Sequence, residues 1–255
     1  MNHLFNLTGK TAIVTGGSRG IGAMIAQGLV QSGVKTYITS RNPTELNATA
    51  ASLSEMGECI AIPSNLDSLE GIKHFVSTVA DLEPHIDILI NNAGATWGAE
   101  LDEFPEVGWD KVMNLNVKSL FFLTQQLMPA LRAAATQEDP ARIINIGSIN
   151  GLTNPGMDNY SYSASKAAVH HLTRHLGAEL IRQHIHVNAI APGFFPSKMT
   201  AHLQADEDEF TTISPSGRAG SLEDIAGTVI YLCSRAGAYM NGQTLVLDGG
   251  IVANS

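Results

Sequence analysis

A tyrosine and a lysine are spaced in this chain so that their side chains can lie together on one helix face and take part in proton transfer. In "YSASK" (162–166), Tyr162 precedes Lys166 by four residues, and side chains four residues apart lie on the same face of a helix. A free tyrosine titrates near pH ~10, too high for ready proton exchange at neutrality. A neighbouring ammonium favours the phenolate, so we expect Lys166 to lower the pKa of Tyr162. A decrease of about three pH units requires roughly 4 kcal/mol of differential stabilisation. Tyr160 has no such partner, because Ala164 stands four residues after it.

A glycine-rich turn could bind the phosphates of a second reactant. "TGGSRGIG" (15–22) follows one predicted strand and opens the predicted helix 21–33. Gly16, Gly20 and Gly22 permit a tight turn and let backbone N–H groups approach a pyrophosphate at the helix N-terminus. Glycines also serve ordinary turns, but the strand–turn–helix context favours a dinucleotide.

The residues after the second predicted strand indicate which dinucleotide. An NAD site usually presents an acidic residue there, whereas this chain has Ser40 and Arg41, and Arg19 lies in the glycine turn. Two guanidiniums and a hydroxyl suit a 2′-phosphate, and no carboxylate ends the strand to repel it. A charged hydrogen bond of roughly 1.5–3 kcal/mol favours NADP by about ten- to a hundredfold. We therefore predict NADP(H) as the cofactor; the alternative is that both arginines are solvated surface charges.

Short β-branched runs alternate with helical patterns along the chain. Strands are predicted at 11–17, 35–40, 59–65, 87–94, 141–148, 184–193 and 244–250. Helical stretches separate them, at 21–33, 43–57, 110–135 and 161–182. This order predicts an α/β fold of the Rossmann type: a doubly wound parallel sheet with helices on both faces. No repeat or linker divides residues 1–255, so we expect a single domain.

One polar, acidic segment, 196–220, interrupts this alternation. It is either a solvated surface loop or a substrate-loop insertion that forms a lid over the cleft. Phe194, Phe195 and Met199, with this loop, form either an apolar channel or plain core.

Composition excludes several classes of function. The formal net charge of −9, with no run of Lys and Arg to offset it, argues against nucleic-acid binding. No apolar run approaches the ~18 residues of a membrane helix, and the first residues lack a signal-peptide pattern. Cys59 and Cys233 have no metal-like spacing and fit a reducing compartment, so we expect a cytoplasmic protein. Five histidines crowd one region without a ligand constellation, and no metal site is predicted: His170, His171, His175, His184 and His186.

These motifs together resemble those of the short-chain dehydrogenase/reductase family. Besides the glycine turn and "YSASK", the chain has "NNAG" (91–94), Ser148 and "PG" (192–193), in the family's order. The likeness spans essentially the whole chain, through "LDGG" near the end. No single motif is decisive, but their joint occurrence at fitting separations is specific.

The resemblance implies a catalytic tetrad of Asn116, Ser148, Tyr162 and Lys166. Hydride would pass from the nicotinamide to a carbonyl carbon while Tyr162 gives its proton to the oxygen. Ser148 would donate a hydrogen bond to the developing oxyanion. Lys166 would also hold the nicotinamide ribose, and Asn116 would bind a water that relays protons. Tyr160 would line the entry to the substrate pocket, or simply pack.

The resemblance also implies the cofactor contacts. Asn65 stands where the family often has Asp for the adenine amino group, and an amide can still meet that edge. Asn91 is expected to bridge strands. The predicted cofactor-binding residues are Gly16, Ser18, Arg19, Gly20, Ile21, Gly22, Ser40, Arg41, Asn65, Leu66, Asn92, Ala93, Gly94, Tyr162, Lys166, Pro192, Gly193, Phe195 and Ser197.

Within the family the chain resembles 3-oxoacyl-(acyl-carrier-protein) reductases of the type linked to rhamnolipid synthesis. That likeness implies reduction of a 3-oxoacyl group on acyl carrier protein or coenzyme A, a role in fatty acid metabolism, and a homotetramer in which helices 110–135 and 161–182 pair. Carrier proteins are acidic, so a basic patch is expected near the cleft, with Arg132, Arg174 and Arg182 as candidates. Ala178 stands where such reductases often have Arg.

Other substrates and one other class of protein stay open. A free or CoA-linked ketone fits the net charge of −9. The chain could also be an NADP-dependent dehydrogenase of a sugar, polyol or steroid-like alcohol. A non-catalytic NADP-binding regulator is the remaining alternative, although such a protein would not need Tyr162.

Overall fold

A seven-stranded, wholly parallel sheet forms the centre of the molecule. The computed structural model describes residues 2–154, 156–196 and 214–254. The strands are β1 (Thr11–Thr15), β2 (Lys35–Thr39), β3 (Cys59–Ala61), β4 (Ile88–Asn91), β5 (Ala141–Ile146), β6 (Ile185–Pro192) and β7 (Thr244–Leu247). Their order in the sheet is β3-β2-β1-β4-β5-β6-β7. The chain therefore reverses direction across the sheet between β1 and β4, the switch point at which such folds bind ligands.

Helices cover both faces of the sheet. They are α1 (Gly20–Gln31), α2 (Pro43–Ser54), α3 (Leu69–Leu82), α4 (Glu106–Met113), α5 (Leu120–Ala134), α6 (Tyr160–Leu180) and α7 (Leu222–Cys233). The predicted doubly wound parallel sheet is confirmed, with each strand shorter than its sequence pattern. The predicted helical stretch 110–135 is present as α4 and α5, which are joined by a π-helical segment, Asn114–Ser119. None of the described helices is long and apolar enough to cross a membrane.

Two apolar layers hold the helices on the sheet, because successive strand side chains point to opposite faces. On β1, Val14 packs in the layer that includes α1, α2 and α7, whereas Ile13 packs in the layer that includes α3 and α5. Both side chains are fully buried. Burying an Ile or Leu side chain contributes about 1.5–3 kcal/mol relative to leaving it exposed. The two layers fix the strand ends, and hence the loops that leave the carboxyl edge.

Candidate active site

A cleft of about 580 Å³ opens at the carboxyl edge of the sheet. Most of the predicted site residues line it: Gly16, Ser18, Arg19, Gly20, Ile21, Gly22, Ser40, Arg41, Leu66, Asn92, Ala93, Gly94, Ser148, Tyr162, Lys166, Pro192, Gly193 and Phe195. Asn65 and Asn116 are not among the lining residues. Ser197, Met199 and most of the segment 196–220 lie outside the described residues. Sequence reasoning missed ten lining residues, most of which flank the motifs it did find: Thr39, Asn42, Glu45, Ser64, Ala95, Thr96, Lys111, Leu115, Ile146 and Gly147.

The glycine turn leaves space for an anion at the start of α1. Gly16 and Gly20 have positive φ angles of 65° and 53°, a conformation that side chains disfavour. A Cβ on Gly22 would lie 2.2 Å from the Gly16 carbonyl oxygen, so the turn tolerates no side chain there. Arg19 makes no side-chain cap on α1, and the first N–H groups of a helix have no partner within it. These groups fit a pyrophosphate.

A threonine fastens the glycine turn to the loop after β4. The Thr15 hydroxyl accepts hydrogen bonds from the backbone N–H groups of Asn92 and Ala93, both at 2.9 Å. The Asn92 amide donates to the carbonyl oxygens of Thr15 and Gly16, at 2.8 and 3.2 Å. The side chain of Asn92 therefore shapes the wall of the cleft through the glycine turn.

The expectation that Asn91 bridges strands is confirmed. Its amide nitrogen donates to the Asn145 oxygen on β5 at 2.9 Å and to the Thr124 hydroxyl at 3.1 Å. All three side chains are buried. This polar contact joins β4, β5 and α5 beneath the cleft.

Each predicted phosphate-binding arginine is paired with a carboxylate. Arg19 Nη1 lies 3.0 Å from Glu45 Oε2, and Arg41 Nη1 lies 3.7 Å from Asp67 Oδ2. Both arginine side chains are more than half exposed, so their guanidiniums remain able to contact a phosphate. No carboxylate directly follows β2, as the sequence shows, but one reaches the cleft from the next helix. Helix α2 begins two residues after Arg41, and its first turn returns Glu45 to the cleft wall.

Three of the four predicted catalytic side chains meet in the cleft. Helix α6 carries Tyr162 and Lys166, and β5 leads directly to Ser148. Lys166 is 5% exposed, and its Nζ donates to the Ile146 carbonyl oxygen at 2.7 Å. The same nitrogen lies 5.5 Å from the centre of the Tyr162 ring. A phenol, an ammonium and a hydroxyl therefore share one wall.

The expected effect of the lysine on the tyrosine is wrong for this chain. Burial raises the pKa of Tyr162, and the Ser148 side chain opposes that shift. Burial also lowers the pKa of Lys166 to about 8. Desolvation disfavours the charged form of each group, and it is the largest cause of both shifts. The phenol is therefore protonated at neutral pH.

Asn116 lies behind this wall, in the π-helical segment. Its Oδ1 accepts the Ala95 N–H at 2.8 Å, while its Nδ2 donates to the Ala95 carbonyl at 3.0 Å and to the Ser165 hydroxyl at 2.9 Å. Ser165 in turn donates to the Tyr162 carbonyl oxygen at 2.7 Å. Because both Nδ2 hydrogens are used, the side chain braces α6 against the loop after β4. The expected water relay stays a prediction.

Two predicted surface features lie away from the cleft. Tyr160 is 37% exposed, donates to Asp158 at 3.0 Å and packs edge-on against Phe104, so it packs and does not line the cleft.

Arg132 donates to Gln183 at 2.7 Å, just before β6 begins. The eight residues of β6 span roughly 26 Å, so Arg132 and neighbouring Arg182 lie at the opposite edge of the sheet. Arg174 is twelve residues beyond Tyr162 on α6, roughly 18 Å along the helix. Arg132, Arg174 and Arg182, the candidates for a basic patch beside the cleft, are therefore not among the residues that line it.

The histidines form no metal centre in the part of the chain that the structure describes, where no group of three His, Cys, Asp or Glu side chains could hold an ion. The cleft combines an anion-binding glycine turn, a proton donor in Tyr162 and a hydrogen-bond donor in the Ser148 hydroxyl. Such a set can support proton transfer to a carbonyl oxygen next to a bound dinucleotide.

Comparison with known proteins yields consistent matches. Residues 10–208 match the family model described as short chain dehydrogenase. The rhamnolipids biosynthesis 3-oxoacyl-(acyl-carrier-protein) reductase of Pseudomonas aeruginosa is 48% identical over 98% of this chain and 99% of that protein. The gluconate 5-dehydrogenase of Gluconobacter oxydans is 37% identical over 100% of each chain. Among solved structures, the Pseudomonas aeruginosa RhlG/NADP active-site complex is 47% identical and covers 98% of this chain and 99% of that one, with a TM-score of 0.95.

Proposed function

The chain belongs to the short-chain dehydrogenase family, and on that premise we propose that it reduces the 3-oxo group of an acyl thioester to a 3-hydroxyl group with NADPH. The observation that carries the proposal is the meeting of Ser148, Tyr162 and Lys166 in the cleft that begins at the glycine turn. The substrate class rests on the relative that is 48% identical and is named as a 3-oxoacyl reductase. The cofactor is NADP(H), in line with the RhlG/NADP complex.

The residues of the cleft fit this cofactor. The N-terminus of α1 and the glycine turn would hold the pyrophosphate. Arg19, Ser40 and Arg41 would hold the 2′-phosphate. Asn92, Ala93, Gly94, Pro192, Gly193 and Phe195 would line the remaining length of the dinucleotide. When bound, NADPH supplies the hydride.

The chain's own residues supply the proton and orient the carbonyl. Burial keeps the Tyr162 phenol protonated at neutral pH, so its Oη can give a proton to the substrate oxygen. The Ser148 hydroxyl donates a hydrogen bond to the same oxygen, and this contact strengthens as negative charge develops. Lys166, with a pKa of about 8, carries a proton at neutral pH and can restore the one that Tyr162 loses.

The carrier of the acyl group is the finer part of the proposal. Beside the cleft stand Lys111, Arg41 and Arg19, at the end where the 2′-phosphate would lie, and none of the predicted carrier-docking arginines. The cleft of a single chain therefore suits an acyl group carried on CoA as well as one carried on acyl carrier protein. A homotetramer, a role in fatty acid metabolism and a lid over 196–220 belong to the same proposal. Two free, buried cysteines fit a reducing compartment such as the cytoplasm.

A second function is favoured by one observation. The gluconate 5-dehydrogenase at 37% identity spans 100% of this chain, so a sugar or polyol oxidoreductase on the same scaffold is the alternative. The two functions share the Tyr162 chemistry and differ in the substrate.

The test is NADPH oxidation with acetoacetyl-CoA, a 3-oxoacyl carrier protein and 5-ketogluconate. We expect turnover with a thioester, and a decrease in kcat of roughly a hundred- to ten-thousandfold in Tyr162→Phe, the range of general acid catalysis. Tyr160→Phe is the matched control, because its hydroxyl bonds to Asp158 outside the cleft. Turnover of the sugar alone would select the second function. Equal rates in wild type and Tyr162→Phe would refute the mechanism, and no turnover of any ketone would favour a binding protein.

A further inference from the structure

A buried histidine lies directly behind the catalytic wall. His170 follows Lys166 by four residues on α6, so Tyr162, Lys166 and His170 share one face of the helix. It is 3% exposed and is not among the residues that line the cleft. Burying an imidazole is less favourable than burying an aliphatic side chain unless its nitrogens find partners. Its position therefore requires a physical reason.

The imidazole rests against the peptide that leads into Ser148. Its Nε2 accepts the backbone N–H of Ser148 at 3.4 Å. A Cβ on Gly147 would come within 2.1 Å of the same nitrogen, so only glycine admits the ring this close. On the other side, the Gly147 N–H donates to the Ile190 carbonyl of β6 at 2.7 Å. The two successive peptides on either side of Gly147 are thus held, one by β6 and the other by the imidazole.

The ring is in the protonation state that this contact needs. Burial, together with the charges of Lys166 and Arg174, lowers the pKa of His170 to about 4. At neutral pH the imidazole is neutral, so its Nε2 can accept the Ser148 N–H. An aliphatic residue at this position would fill the volume but leave that N–H without its acceptor.

We propose that His170 is a positioning residue for Ser148: its Nε2 fixes the Ser148 peptide and thereby aims the Ser148 hydroxyl at the reacting oxygen. The inference rests on the proposed ketone reduction, in which Ser148 hydrogen-bonds the developing oxyanion. It assigns no contact with substrate to His170. It explains why a glycine stands at 147 and an imidazole at 170.

Three variants test the contact. His170→Leu keeps the volume and removes the acceptor, His170→Gln places an amide oxygen close to the position of Nε2, and His171→Leu alters the exposed neighbour on the same helix. We expect kcat to fall roughly ten- to a hundredfold in His170→Leu, with the KM for NADPH unchanged. His170→Gln should recover most of kcat, and His171→Leu should match wild type.

A double-mutant cycle separates positioning from general stability. If His170 acts through Ser148, adding His170→Leu to Ser148→Ala should lower kcat no further, whereas a merely structural role would multiply the two losses. Should His170→Leu not fold, His170→Met takes its place in the cycle. Multiplied losses, or wild-type kcat in the folded variant, would overturn the inference. An inactive wild type would instead refute the proposed function, so the two failures are distinguishable.

Discussion

Replacing Arg19 by alanine tests which group reads the adenosine end of the dinucleotide. Arg19 lies in the glycine turn and lines the cleft. Its side chain is 56% exposed, and its guanidinium contacts Glu45 at 3.0 Å. A 2′-phosphate would draw the guanidinium into a charged hydrogen bond, while NADH offers only a hydroxyl at that position.

The size of the effect follows from the two contacts that compete for the guanidinium. A hydrogen bond to a charged group contributes roughly 1.5–3 kcal/mol. The exposed ion pair with Glu45 contributes about 0–1 kcal/mol, and part of that is given up when the phosphate binds. A net loss of about 1–2.5 kcal/mol predicts a fall in kcat/KM for NADPH of roughly five- to seventyfold in Arg19→Ala.

The assay compares kcat/KM for NADPH and for NADH at fixed ketone concentration. We expect the NADH value to change less than about threefold, because NADH lacks the phosphate. Glu45→Gln should raise kcat/KM for NADPH slightly, since it frees Arg19. Arg235→Ala, which removes a cation remote from the cleft, is the matched control. An equal fall with both cofactors would show that Arg19 shapes the turn and does not bind the phosphate.

Two further predictions concern the glycine turn and the buried lysine. Gly22→Ala should weaken NADPH binding at least roughly tenfold in a fluorescence titration, because its Cβ would lie 2.2 Å from the Gly16 carbonyl oxygen. Gly227→Ala is the control and should bind NADPH normally, since the space around its Cβ is open. Normal binding by both variants would contradict this account. Lys166→Met should be inactive yet more stable than wild type at pH 7, because burial lowers the pKa of Lys166 from 10.5 to about 8. Between those values the unfolded chain binds more protons than the folded one, so wild-type stability rises with pH and the gap to Lys166→Met narrows. Denaturant titrations from pH 7 to 10.5 measure it, and a gap that does not change with pH would refute the assignment.

Local patterns predicted the sheet and most of the cleft, because both depend on features that neighbouring residues encode. Short β-branched runs marked every strand, and parallel strands bring their carboxyl ends, with the motifs that follow, to one edge. Local sequence patterns are therefore enough to predict that the glycine turn and Ser148 both lie at the cleft.

The features that sequence reasoning missed depend on distant contacts. The π-helical segment 114–119 turns Asn116 towards Ala95, a contact that apolar periodicity does not show. The pKa of Tyr162 depends on the total burial around it, which spacing to Lys166 alone does not reveal. The place of Arg132 follows from its contact with Gln183, fifty-one residues later in the chain.

The Thr15 hydroxyl, which accepts two N–H groups from the loop after β4, makes the floor of the site a single mechanical unit. Its partners are backbone N–H groups, so these two hydrogen bonds do not require particular side chains at residues 92 and 93. Substitutions in the surrounding loops can therefore change the substrate preference without disturbing the hydrogen bonds that hold the cofactor side of the cleft. This separation offers a physical basis for one scaffold serving thioesters in one lineage and sugar acids in another.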